Sequence, residues 1–117
     1  MASYFYSNRG SDYLRRTPTE NRYQSKLISK LKERYGDAYI YKTSPYAPQG
    51  FPDITIVHES GKWAYLECKR SRDESRQPNQ TYYVDRLNRF GFASFIFPEN
   101  EECVLNELDE YLNPCKW

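Results

Sequence analysis

The chain has 117 residues, a length that suits one compact domain, and a net charge of +1. It has no apolar run near the roughly 18 residues of a membrane span and no signal-peptide segment, so we expect a cytoplasmic protein without a membrane partner. Three scattered cysteines and one histidine argue against a zinc site, a disulfide scaffold and a nucleophile activated by histidine. The charge is uneven: residues 99–117 hold six acidic residues and one lysine, so residues 1–97 carry six surplus positive charges, which is compatible with a polyanionic partner.

Residues 1–16 are rich in aromatic and basic side chains, and we predict that they form an arm without a core of its own. This arm could be a tail, a dimer contact or a strand laid on DNA, and the sequence does not distinguish these alternatives. A single domain is predicted over residues 17–117. Its first helix begins with Thr17 as N-cap, carries Leu27 and Leu31 on an apolar stripe, and stops at Gly36.

Three strands are predicted next, over residues 38–43, 53–58 and 63–69. A loop with three prolines separates the first two, and a hairpin turn joins the second to the third. A charged loop leads to a second helix from about residue 79 to residue 90. A strand over residues 93–97 and a helix capped by Asn100 complete the order α-β-β-β-α-β-α, which indicates an α/β (α+β) fold.

Two charged residues lie together on the third predicted strand. Because side chains alternate along a strand, Glu67 and Lys69 project from one face while Leu66 and Cys68 suit a buried face. Pairing across the hairpin turn brings Asp53 close to Glu67. Two carboxylates that converge repel each other unless a cation lies between them. The pattern therefore predicts a metal site, although Asp53 could also serve only to cap the preceding loop.

Two further polar residues face inward on the predicted helices. Glu20 fits a capping box with Thr17, yet it lies about 20° from the centre of the apolar stripe of its helix. Gln80 shares a face with Tyr83 and Val84, where a buried amide must be hydrogen-bonded or line a site. We predict Glu20 and Gln80 as site residues; core packing explains Tyr83 equally well.

These residues, taken in order, resemble a nuclease family. The matching set is Glu20, Gly50-Phe51-Pro52-Asp53, Glu67-Cys68-Lys69 and Gln80-x-x-Tyr83. It resembles the PD-(D/E)XK nucleases, and among them the VRR-NUC branch known from phages and from eukaryotic DNA-repair nucleases. The resemblance implies a restriction-endonuclease-like αβββαβ core with a mixed central sheet flanked by helices.

The resemblance also implies roles for the residues. The implied metal-holding set is Asp53, Glu67, Cys68 through its backbone carbonyl, and Glu20 for a second metal or a metal-bound water. Lys69 would orient or deprotonate the attacking water, and Gln80 would position the site or the phosphate. Oxygen ligands favour Mg²⁺, with Mn²⁺ as a substitute, and no small-molecule cofactor is expected.

The expected partner is DNA. The candidate contacts near the site are Lys42, Arg70, Arg72, Arg76, Tyr83 and Arg86. The chain is short for a separate sequence-reading domain, so we expect a Mg²⁺-dependent endodeoxyribonuclease selective for branched, junction or flapped DNA. Stand-alone viral members of the family form dimers that cut four-way junctions, which makes a homodimer the expected assembly. A sequence-selective nicking or homing endonuclease and a non-catalytic DNA-binding module are the alternatives.

Overall fold

The computed structural model describes residues 18–114, so the predicted arm over residues 1–16 and the predicted cap Thr17 lie outside the described residues. The elements of this part are α1 (Pro18–Arg34), β1 (Tyr39–Lys42), β2 (Ile54–Val57), β3 (Trp63–Cys68), α2 (Pro78–Phe90), β4 (Phe92–Ile96) and α3 (Glu101–Leu112). The predicted order is confirmed, and the element ends differ from the predicted ones by one or two residues. None of the helices in the described part of the chain has the length and apolar character that crossing a bilayer requires.

The four strands form one mixed sheet in the order β1-β2-β3-β4. β1 pairs with β2, and β2 with β3, in antiparallel fashion, as short connections allow. β3 and β4 are parallel, because α2 carries the chain back to the starting end of the sheet. The mixed sheet flanked by helices that the resemblance implied is confirmed.

One face of the sheet carries the hydrophobic core. Its sheet side chains are Ile40, Ile54, Ile56, Ala64, Leu66, Cys68 and Ile96. The others come from α1, from Tyr35 just after it, and from α3: Leu27, Leu31, Val104, Leu105, Leu108 and Leu112. Burying each large aliphatic side chain stabilises the fold by roughly 1.5–3 kcal/mol. The alternation along β3 therefore fixes which face receives its remaining residues, Tyr65 and Glu67.

The opposite face receives α2. The ring of Phe51 lies 5.6 Å from that of Tyr65 and 5.4 Å from that of Tyr83, measured between centroids, so the loop before β2 joins the sheet to α2. Tyr39 and Trp63 are exposed, and the strand register places both on this same face, beside Val57. Helix α2 therefore leaves the β1 side of this face open.

Two acidic residues of α3 pair with basic residues of α1. Glu101 accepts hydrogen bonds from the hydroxyl of Tyr23 at 2.9 Å and from Lys30 Nζ at 2.6 Å. Asp109 pairs with Arg34 and accepts a hydrogen bond from the Tyr35 hydroxyl. Burial raises the pKa of Tyr35, and its bond to Asp109 raises it further, so the hydroxyl stays a donor. Part of the charge separation seen in the sequence is therefore internal ion pairing.

Candidate active site

Asp53 lies immediately before β2 and is held there by its backbone. The N–H of Thr43 donates to the carbonyl of Asp53 at 2.8 Å, and the Thr43 hydroxyl donates to the carbonyl of Pro52. The Asp53 side chain is buried, and its Oδ2 accepts the backbone N–H of Cys68 at 2.9 Å. The carboxylate of Asp53 is therefore directed at the end of β3.

Glu67 lies opposite Asp53 on that strand. The register pairs Ile54 with Leu66, and one step further it sets Asp53 against Glu67, with their Cα atoms about 5 Å apart. Asp53 is 7 % exposed and Glu67 is 2 % exposed. The strand register thus sets the two residues that the hairpin argument paired opposite each other. Buried charges of one sign at this separation require compensation by cations or donors.

Part of that compensation comes from Lys69 and Gln80. Lys69, 4 % exposed, donates from Nζ to Gln80 Oε1 at 2.7 Å. The other end of the same amide, Nε2, donates to Glu67 Oε2 at 3.0 Å. Gln80 Oε1 also accepts the N–H of Gln77 at 3.0 Å, which ties the amide to the start of α2. A single glutamine therefore fixes the positions of the ammonium and the carboxylate relative to each other.

Gly50 allows α2 to approach the site so closely. Its φ of +89° lies in the left-handed region that favours glycine. A Cβ at this position would come within 2.8 Å of the backbone carbonyl carbon of Asn79 in the first turn of α2. The glycine in the loop before Asp53 is thus required both by the turn and by the contact that places Gln80.

The loop from residue 70 to residue 77 adds a contact that the sequence did not predict. Lys69 Nζ lies 3.2 Å from the carbonyl oxygen of Ser75, to which it donates, and 3.7 Å from Glu74 Oε2. Glu74 is one of several charged residues in this stretch, so no local pattern indicated that it lies close to Lys69. The i,i+4 spacing indicated only that Glu74 could pair with Arg70.

The predicted role of Glu20 stays a prediction. The residue lies in the first turn of α1 and is partly buried. Within residues 18–114 no group of three or more His, Cys, Asp or Glu side chains is arranged to hold a metal ion. One turn after Glu20, Gln24 is 1 % exposed, and its Oε1 accepts no hydrogen bond from the described residues. Such an oxygen is usually satisfied by water or a ligand.

The predicted DNA contacts lie in different surroundings. Lys42, Arg70 and Arg72 are exposed, and Lys42 pairs with Ile54 at the end of β1. The guanidinium of Arg76 lies over the ring of Phe95 at 4.4 Å. The remaining two, Tyr83 and Arg86, contact aromatic rings: Tyr83 packs on Phe51, and Arg86 lies 5.5 Å from the ring of Phe90. Ring contacts with Phe51 and Tyr82 therefore account for much of the position of Tyr83.

The donor set fits a hard divalent cation. Asp53 and Glu67 supply carboxylate oxygens from adjacent strands. In an extended strand the N–H and the C=O of one residue point to the same side, so we expect the Cys68 carbonyl to face Asp53, as its N–H does. Mg²⁺ commonly takes one or two carboxylates and keeps several waters, so two carboxylates and a carbonyl suffice. The chemistry of these groups suits Mg²⁺ or Mn²⁺ and does not suit zinc.

Comparison with solved structures supports the same architecture. A structure described as "VRR_NUC domain" superposes with a TM-score of 0.60, covering 81 % of this chain and 99 % of that chain at 22 % sequence identity. The chain has the fold of a VRR_NUC domain. The restriction-endonuclease-like core predicted from the motifs is thereby confirmed as a fold. No protein-family model matches the chain, and no curated protein is significantly similar to it in sequence.

Proposed function

We propose that this chain is a metal-dependent DNA endonuclease that hydrolyses phosphodiester bonds. The observation that carries the proposal is the hydrogen-bonded chain from Lys69 through Gln80 to Glu67, with Asp53 opposite Glu67. If Lys69 and Glu67 were only a structural pair of charges, they would not need a second buried carboxylate, that of Asp53, beside them. Carboxylates, an ammonium and a fixed amide, on the fold of a VRR_NUC domain, are groups that metal-dependent phosphodiester hydrolysis can use.

Asp53, Glu67 and the Cys68 carbonyl would hold the metal, with Mg²⁺ as the expected ion and Mn²⁺ as a substitute. The ion, when bound, polarises the scissile phosphate and makes water more acidic. Lys69 would orient or deprotonate the attacking water, or donate a hydrogen bond to a non-bridging phosphate oxygen. The water oxygen would bond to phosphorus in line with the 3′ oxygen as the P–O3′ bond breaks, and the leaving 3′ oxygen would take up a proton from solvent. Gln80 holds Lys69 and Glu67 at the separation that this geometry needs. Glu20 is proposed to bind a second metal or a metal-bound water.

We propose a substrate with branched, junction or flap character. The support is the exposed basic loop beside the site, which includes Arg70 and Arg72 and can follow a bent phosphate backbone without reading base edges. A homodimer is proposed alongside, since two active sites are needed to cut both strands of a symmetric junction. The exposed Tyr39, Tyr41 and Trp63 offer one surface for it. Light scattering of the purified chain measures its mass in solution.

The test of the nuclease proposal is cleavage of plasmid and of synthetic junctions with Mg²⁺, Mn²⁺ or a chelator. Glu67→Ala and Lys69→Ala should abolish cleavage. Matched controls are Glu59→Ala and Lys26→Ala, which remove the same charges from exposed positions and should cleave like the wild type.

The outcomes separate the candidate functions. Junction cutting without discrete plasmid bands supports the structure-selective nuclease. Discrete plasmid bands with intact junctions support a sequence-selective endonuclease. Metal-independent binding with no cleavage of any substrate would leave a DNA-binding module and refute the proposal.

A further inference from the structure

The loop between β3 and α2 binds a carboxylate of its own chain. Glu74 Oε1 accepts the backbone N–H of Arg70 at 2.6 Å and lies 3.3 Å from Arg70 Nε, which donates to it. Glu74 Oε2 lies 3.7 Å from Lys69 Nζ. These three donors, Lys69 Nζ, Arg70 N–H and Arg70 Nε, are called the loop anion site below.

The loop anion site has the chemistry of a phosphate site. An ammonium, a guanidinium and a main-chain amide are the donors that phosphate oxygens take in proteins. Lys69 also bonds to Gln80 at 2.7 Å, so the loop anion site adjoins the candidate active site directly. The Arg70 side chain is 47 % exposed, which leaves it within reach of a ligand from solvent.

We propose that the loop anion site is a phosphate subsite for DNA and that Glu74 is an internal carboxylate which a DNA phosphate displaces. The inference rests on the proposed function, because it assigns one phosphate of that substrate to named donors. Glu74 thereby restrains Lys69 and Arg70 in the absence of DNA and lowers the affinity for any phosphate that competes with it.

The contacts make displacement feasible. The Glu74–Lys69 separation of 3.7 Å is longer than a hydrogen bond, whereas Lys69 keeps shorter bonds to Gln80 and to the Ser75 carbonyl. The Arg70–Glu74 pair involves a half-exposed arginine, and such pairs stabilise a fold little. The loop has a further anchor, in which the N–H of Arg72 donates to Glu99 at 3.4 Å. Releasing Glu74 therefore does not release the whole loop.

The test is DNA binding by the full chain without metal, measured as fluorescence anisotropy of a short labelled duplex in chelator. Glu74→Gln keeps an acceptor for the Arg70 N–H but removes the negative charge. Asp73→Asn is the matched control, since it removes the same charge from the exposed residue that precedes Glu74. We expect Glu74→Gln to bind roughly three- to fivefold more tightly at low salt, against less than about twofold for Asp73→Asn.

Two further measurements make the test specific. The gain in affinity from Glu74→Gln should also be measured in an Arg70→Gln background, by comparing the double variant with Arg70→Gln alone. There the gain should be less than half of that in the wild type, because the two residues act on one site. By NMR, the side-chain carboxylate resonance of Glu74 should move when duplex is added to the wild-type chain.

Equal affinities for Glu74→Gln and Asp73→Asn, weaker binding by Glu74→Gln, or an unmoved Glu74 resonance at saturating duplex would each overturn the inference. If the wild type cleaves DNA and these results are negative, the inference fails alone. If the wild type binds but never cleaves, and Glu74→Gln binds more tightly, the proposed nuclease fails and the phosphate subsite stands. If neither the wild type nor Glu74→Gln binds DNA at any salt concentration, both are refuted.

Discussion

Replacing Gln80 by methionine isolates the hydrogen-bonded bridge of the site. Methionine matches the length of glutamine but neither donates to Glu67 nor accepts from Lys69, so Gln80→Met deletes the bonds of 3.0 Å and 2.7 Å while filling similar space. It also deletes the bond from the Gln77 N–H. Thr81→Met places the same side chain at the next, exposed position of α2 and serves as the control.

The expected loss of stability follows from these bonds. A hydrogen bond to a charged group contributes roughly 1.5–3 kcal/mol and an ordinary one about 1 kcal/mol. These contributions are not additive, because all three bonds end on one amide, and Lys69 is not left without a partner, since it still donates to the Ser75 carbonyl. We therefore expect Gln80→Met to lower the free energy of unfolding by about 2–4 kcal/mol, measured by urea denaturation, and Thr81→Met to change it by less than about 0.5 kcal/mol.

The cleavage assay gives a second, independent measurement. Without the bridge, Lys69 and Glu67 lose their fixed separation, and displacements of about 1 Å in an active site cost roughly 100-fold in rate. We expect kcat to fall by that order at a temperature where the variant is folded, with KM changed little. Wild-type kcat in Gln80→Met, with Glu67→Ala inactive, would refute the assignment of Gln80 as a positioning residue. Stability equal to that of Thr81→Met would refute the energetic argument.

Three other substitutions test the surroundings of the site. Gly50 and Gly61 have nearly equal φ values of +89° and +87°, but a Cβ on Gly61 meets nothing within 4 Å. Gly50→Ala should therefore lower the free energy of unfolding in urea by more than Gly61→Ala does. Equal losses of stability in the two variants would rule out the close approach of Gly50 to α2. Asp53→Asn keeps an oxygen acceptor while removing the charge of a proposed metal ligand. We expect Mn²⁺ to raise the melting temperature of the wild type and of the exposed control Asp37→Asn, but not that of Asp53→Asn. Arg76→Ala removes a guanidinium 4.4 Å from an aromatic ring and should cost about 0.5–1 kcal/mol of stability in the same denaturation assay; an unchanged midpoint would show that the stacking contributes nothing.

Local sequence patterns predicted the elements because each pattern has a local cause. Apolar residues at helical spacing defined α1, and Pro18 at its start is tolerated because the first N–H groups of a helix have no partner within it. Alternation along β3 placed Leu66 on the core face and Glu67 on the other. Element ends were less well predicted, because local patterns do not record where pairing stops: β1 ends at Lys42, although the N–H of Thr43 still donates to the Asp53 carbonyl.

The candidate site was predicted in part for the same reason. The separation of Asp53 and Glu67 follows from counting outward from one hairpin turn, and the observed register agrees with that count. Gln80 was predicted to face inward and to belong to the site, but its two partners were not predicted. Its bridge between Lys69 and Glu67 depends on how closely α2 approaches β3, which the Gly50 contact sets across the fold.

The sequence by itself determined the order of the elements, the buried face of the sheet and the pairing of two carboxylates, because helical period, strand alternation and hairpin register are short-range properties of the chain. Only the tertiary structure decided that Gln80 joins Lys69 to Glu67, that Glu74 faces Lys69, and that the acids of α3 pair with α1 rather than standing apart from it. Those contacts join residues whose approach is fixed by packing the helices on the sheet, and no local periodicity records that packing.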